Sequence, residues 1–135
     1  MQSLSKEQLT DMLSFVEHQI LFIGSSTRNI HTYHDFLLSE SGMVLFNSTC
    51  MCLQTIGETI RKVENYTQGK LFSLYPEIPW KRVIRMRNII SHDYLSVDVE
   101  LVYSVVQEEL EPLLQTLRQI LSDIEQGKRD AELNA

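Results

Sequence analysis

Arg87, His92 and Tyr94 spell R-x4-H-x-Y within residues 76–94, PEIPWKRVIRMRNIISHDY. An arginine presents a planar, permanently charged fork that matches a phosphate. A histidine, with an unperturbed pKa of about 6.5, can give or take a proton near neutrality. Lys81, Arg82 and Arg85 thicken the positive field and add candidate RNA-binding side chains. Such a set can bind RNA and cleave it without a metal. The 2′-hydroxyl would attack the adjacent phosphate, His92 would shuttle a proton, and Arg87 would stabilise charge on the phosphorane. Residue types alone leave a second reading open. In it His92 is a buried histidine with a satisfied hydrogen bond, and the arginines are a solvated helix face.

The spacing constrains whatever positions these groups. Arg87 and Tyr94 are seven apart, so on a regular helix they lie within about 20° of each other. His92 follows Arg87 by five and points about 140° away. One straight helix therefore cannot aim both side chains at one phosphate. Either the helix distorts near Ser91 or two chains share the site. A twofold dimer with this segment at its interface would also double the basic patch.

The elements available for the task are helices. Leu9, Leu13, Val16, Ile20 and Ile23 step by 4, 3, 4 and 3 along one helix face, and Gly24-Ser25-Ser26 should end or interrupt it. The polar stretch up to Gly42 leaves room for a short extra helix around Phe36. Leu45, Thr49, Cys52, Ile56, Ile60 and Val63 mark a second long helix. Residues 69–79 read as a loop, with Pro79 at the first position of a third helix beginning near Trp80. Trp80 and Tyr75 read as core anchors rather than base-stacking platforms. Asp98 is a candidate N-cap for a fourth helix, whose stripe runs from Val102 to Ile124 with Pro112 inside it, where the helix should kink or restart. Four amphipathic helices with one apolar stripe each predict an all-α, up-down four-helix bundle.

Composition narrows the class further. A chain of 135 residues has room for one domain, and its 43% hydrophobic and 22% charged residues exclude wholesale disorder. Five Gly and three Pro are too few for the turns of a small sandwich or barrel. The net charge of −6 argues, taken globally, against electrostatic nucleic-acid binding. Locally the picture reverses. Residues 78–92 hold four cations and no acid, residues 93–111 hold six acids and no base, and the chain without those four cations sums to −10.

The polar N-terminus lacks a signal-peptide core, and no apolar run is long enough for a transmembrane helix. A cytoplasmic protein with no membrane contact is the expectation. Cys50 and Cys52 point about 200° apart on a helix and read as packing residues of a reducing compartment. Their spacing suits neither a mutual disulfide nor a shared metal. His31, His34 and Asp35 could contribute to a metal site, but no complementary pair accompanies them.

The short strings along the chain fall into one family order: Ile56-Gly57-Glu58, then Tyr75-Pro76-Glu77-Ile78-Pro79-Trp80, then Met86-Arg87-Asn88, then Ser91-His92-Asp93-Tyr94. With them the chain resembles, over most of its length, the HepT toxins of the HEPN superfamily of helical ribonucleases. The first half matches more loosely, through Asp11 and Phe36.

The resemblance implies a HEPN-type four-helix domain over residues 1–126, with 127–135 a polar C-terminal tail that frays. It implies a twofold homodimer whose R-x4-H segments face each other across a cleft. The implied activity is metal-independent, cofactor-free cleavage of RNA, in studied relatives tRNA, with Arg87 and His92 as the catalytic pair. Asn88 and Asp93 would orient the motif, and Glu58 would support it unless it is simply a helix-surface acid. The implied partner is an MntA-like nucleotidyltransferase antitoxin that moves AMP from ATP onto Tyr94. Each phosphodiester would add about one negative charge beside Arg87 and block RNA. Two competing functions stand beside this one: a non-catalytic helical dimer that binds or presents substrate to a nucleotidyltransferase, and a plain dimeric bundle with an incidental basic segment.

Overall fold

Ser5 opens the fold by closing a capping box with Gln8, its hydroxyl accepting from the Gln8 amide at 3.1 Å while the Gln8 side chain accepts from the Ser5 amide at 2.9 Å. The computed structural model describes residues 4–89 and 97–133, and among them every regular element is helical. Helix α1 spans Lys6–Ser26 and buries Leu9, Leu13, Val16, Ile20 and Ile23, the stripe read from sequence. It runs through Gly24 and Ser25 and stops at Ser26, where the Thr27 hydroxyl donates to the Ile23 carbonyl at 2.6 Å.

The expected short helix around Phe36 is a single 3-10 turn, Tyr33–Phe36, with Phe36 fully buried. Asp35 accepts there from the backbone amides of His31 (2.8 Å) and Thr32 (3.2 Å), so its carboxylate shapes the turn. Those amides hold it below the usual carboxylate range. The hydroxyl of Tyr103 ties the turn to a later helix by donating to the His31 carbonyl at 2.6 Å.

Ser39 caps α2, Glu40–Tyr66, by accepting from the Gly42 amide at 2.9 Å. This 27-residue helix is central: α1 packs on one side of it, and α3 with the turn after it packs on another. Cys50 is buried within it and burial pushes its thiol up to about 12, which leaves it a packing residue rather than a nucleophile.

Residues 69–79, read as a loop, contain a 3-10 turn at Phe72–Leu74 and bury Leu71, Phe72, Tyr75 and Ile78. Trp80 stacks on Phe72 with ring centroids 3.9 Å apart and donates its indole N–H to the Tyr75 carbonyl at 2.9 Å. Both aromatics are thus core anchors. Helix α3, Trp80–Arg85, follows Pro79 and passes directly into a 3-10 turn, Met86–Asn88.

Asp98 caps α4, Val99–Glu108, accepting from the Leu101 amide at 3.1 Å. Helix α5, Leu110–Glu125, restarts after Glu109. Pro112 causes the break, because it has no N–H to offer the carbonyl of Glu108 four residues back. The packing of α1 against α5 closes the core. Gly127, at φ +77°, ends α5 by letting the Lys128 amide donate back to the Asp123 carbonyl at 2.9 Å. Within the stretch read as a polar tail lies a short helix, α6, Asp130–Leu133, where Lys6 meets Asp130 at 3.3 Å. The reversal at Gly127 gives those polar residues local partners, as when Arg129 pairs with Glu132 at 3.3 Å.

Gly57 sets how closely α2 and α3 approach. A Cβ there would lie 2.9 Å from the Ile84 carbonyl oxygen and 3.1 Å from the Met86 carbonyl carbon, and closer still to the Arg87 amide nitrogen. Gly24 of α1 has nothing within 4 Å of the same position. Gly57→Ala should therefore cost about 1–3 kcal/mol through overpacking. Gly24→Ala should gain about 0.5–1 kcal/mol from helix propensity alone. Urea denaturation of the two variants checks this, and equal shifts would remove the special role of Gly57.

A second buried contact fixes the 69–79 segment to α5. The Tyr75 hydroxyl donates to Asp123 at 2.6 Å, and Asp123, 7% exposed, also accepts from Gln119 at 2.8 Å. The Tyr75 hydroxyl above all, helped by Gln119 and Lys128 against burial, holds the Asp123 carboxyl below its usual range. Because the folded pKa is depressed, the stabilisation is complete above the ordinary Asp value of about 4 and is lost as pH falls through the lower folded value. Tyr75→Phe should cost about 1.5–3 kcal/mol near neutrality, and the difference from the native chain should narrow in acid. Denaturant melts at both pH values check this; a gap that grows in acid would contradict it.

Candidate active site

Arg87 sits on the 3-10 turn Met86–Asn88, where successive side chains turn about 120° rather than 100°. The regular-helix angles therefore do not apply within Met86–Asn88. The departure from α geometry begins at Met86, and the distortion expected near Ser91 falls outside the described residues. Ser91, His92, Asp93 and Tyr94 lie outside the described residues.

The IGE string on α2 has a physical role at each position. Ile56 is fully buried, Gly57 gives the Arg87 backbone its space, and Glu58 directs its carboxylate to Arg87. The Arg87–Glu58 separation is 3.5 Å, and both side chains are 38% exposed. Glu58 also pairs with Arg61, one turn along the helix, at 3.3 Å. The guanidinium of Arg61 first, and that of Arg87 after it, hold the Glu58 carboxyl below the usual range. Glu58 is thus an ionised anchor for Arg87 rather than an isolated surface acid. Arg61 was not singled out from sequence; its three-residue spacing from Glu58 was the available signal.

The remaining cations divide in two. Arg82 is engaged by Glu109, with Nε 2.8 Å from the carboxylate. Lys81 and Arg85 are exposed and make no ion pair among the described residues. The positive field is therefore narrower than the count of cations implies. Asn88 lies exposed on the same turn as Arg87. His31, His34 and Asp35 do not form a metal-binding group, and no cluster of three His, Cys, Asp or Glu stands elsewhere among the described residues. No helix there is long and apolar enough to cross a membrane.

The geometry offers a half-exposed guanidinium, held from behind by a carboxylate on a neighbouring helix. A phosphate arriving from solvent could take up that charge while Glu58 keeps the fork in place.

Comparison with known proteins matches this sequence to one family. The family model described as "Ribonuclease HepT-like" matches residues 16–120. A Methanocaldococcus jannaschii protein named a "putative RNase" is 29% identical over 95% of both chains. A Thermococcus cleftensis protein named a "probable ribonuclease HepT" is 31% identical over 80% of this chain and 91% of its own. Another M. jannaschii "putative RNase" is 27% identical over 90% of this chain and 94% of its own. No solved structure matches. With the family model covering most of the chain, including the IGE string and the Arg87 turn, this protein belongs to the HepT-like ribonuclease family.

Proposed function

We propose that this chain is the toxin of a HepT/MntA-type toxin–antitoxin pair, a metal-independent endoribonuclease that acts on RNA of the tRNA class. The observation that carries the reading is the placement of Arg87, clamped to α2 at Gly57 and anchored by Glu58 with its fork still accessible. In the proposed reaction His92 takes the proton of a ribose 2′-hydroxyl as that oxygen attacks the neighbouring phosphorus. Arg87 stabilises the charge gathering on the phosphoryl oxygens. The 5′-oxygen leaves with the proton that His92 returns, giving a 2′,3′-cyclic phosphate and a 5′-hydroxyl. Asn88 and Asp93 hold the motif in shape, and Lys81, Arg82 and Arg85 guide the strand. The functional unit is a twofold dimer of four-helix HEPN bundles whose two motifs face one cleft.

The native chain, free of any partner and in EDTA, should cleave tRNA. Arg87→Ala and His92→Ala should each lower the rate at least about 100-fold. Glu58→Gln should lower it less, because it loosens the fork without removing it. Gel assays of cleavage read all three. Equal cleavage by His92→Ala would remove the catalytic assignment. No cleavage by the native chain, with a stable partner complex, would favour a non-catalytic binding subunit. The engagement of Arg82 and Arg87 by acids lends that second reading its support.

In the same proposal an MntA-like nucleotidyltransferase transfers AMP from ATP onto the Tyr94 oxygen, releasing pyrophosphate. The added phosphodiester is an internal anion competing with RNA for Arg87. Co-expression with an active partner should raise the intact mass by whole AMP units and suppress cleavage. Tyr94→Phe should abolish the shift; a shift that survives would identify another acceptor.

A further inference from the structure

One concave surface, lined in part by Arg85 and Asn88, has no assigned occupant in the reaction above. It is a pocket of about 390 Å³ between the end of α3 and the start of α4. Arg85, Asn88 and Ile89 form one wall, three residues on a single helical face, and Val97 and Leu101 line the other. Ile89 and Val97 are the described residues on either side of residues 90–96, which include His92. The pocket is therefore at the root of the segment that carries the motif histidine.

Its chemistry is selective. The walls are mostly aliphatic, and Leu101 is 49% exposed, an apolar surface left open to solvent. Arg85 is an exposed cation with no ion pair among the described residues. Asp98 also borders the pocket, with its carboxylate accepting from the Leu101 amide. That negative charge over an apolar floor disfavours a phosphate inside. A flat, uncharged group carrying amino hydrogens suits it: aliphatic surface covers one face, a guanidinium plane can stack on the other, and Asp98 can accept from an exocyclic amine. The volume accommodates a single base.

We infer that this pocket is a subsite for one unpaired nucleobase of the RNA strand. The inference rests on the ribonuclease reading and adds a base-dependent contact to phosphate binding. Unpaired bases become the preferred substrate, since a base in a duplex cannot enter the pocket.

The test separates base binding from cleavage. A short single strand of 2′-O-methyl RNA, which offers no 2′-hydroxyl to attack, is compared with the same strand lacking every base. The native chain should bind the base-bearing strand about 5- to 150-fold more tightly, the range of one stacked base. In Leu101→Gln, and separately in Arg85→Gln, that ratio should fall toward one. The affinity of Leu101→Gln for the abasic strand should stay unchanged, which also reports an intact fold. A native ratio near one, or ratios unaltered in both variants, would overturn the subsite. A base-dependent ratio that both variants abolish, in a chain that cleaves no RNA, would keep the pocket and remove the ribonuclease reading. Cleavage without any base-dependent ratio would do the reverse.

Discussion

The contact between the backbone of α2 at Gly57 and the backbone at Arg87 governs the geometry of the site. Two helices rarely approach this closely, because side chains on both usually hold them 8–10 Å apart. Here the missing Cβ lets the amide of Arg87 lie directly on α2. The next residue of α2, Glu58, can then reach the guanidinium at 3.5 Å. The surrounding structure serves that contact. Ile56 is buried on one side of it, and the Trp80–Phe72 stack fixes the start of the short helix leading to Arg87. The Tyr75–Asp123 bond holds the same segment to α5. Arg87 is thus positioned by backbone and core, not by its own flexible side chain, which lowers the entropy cost of presenting it to an anion.

Features encoded by single residues were legible before the fold was known. The α1 stripe, the Asp98 cap and the interruption at Pro112 each depend on helix period, one hydrogen bond or one missing N–H. Features that depend on residues far apart in the chain were not. Residues 69–79 look like a loop because their buried side chains follow no period; their partners lie on α5 and in Trp80. The brevity of α3 escaped for the same reason, since nothing local to Met86 announces a 3-10 turn. Glu58 and Arg87 are 29 positions apart, and only the family resemblance singled out both. Arg61, which shares the Glu58 carboxylate, lacked even that signal.

The charge distribution acquires a different meaning once the pairs are visible. Arg82 and Arg87 each face an acid on a neighbouring element, whereas Lys81 and Arg85 do not among the described residues. Such exposed pairs contribute little to stability. Their effect is on selectivity: a ligand must offer an anion that the free side of Arg87 can take while Glu58 stays paired with it. A chain of phosphates meets that requirement, while a single weak carboxylate does not.

The closure of the core by α1 against α5 also orders events in time. During synthesis α1 and α2 leave the ribosome together and can pack on each other, but α5 emerges only after α3 and α4. Until it does, the stripe of α1 lacks one partner and Tyr75 lacks Asp123. Gly57, Glu58 and Arg87 are therefore all present in a nascent chain that cannot yet hold them rigidly. A protein built this way gains a rigid contact between Gly57 and Arg87 only once α5 has joined the core.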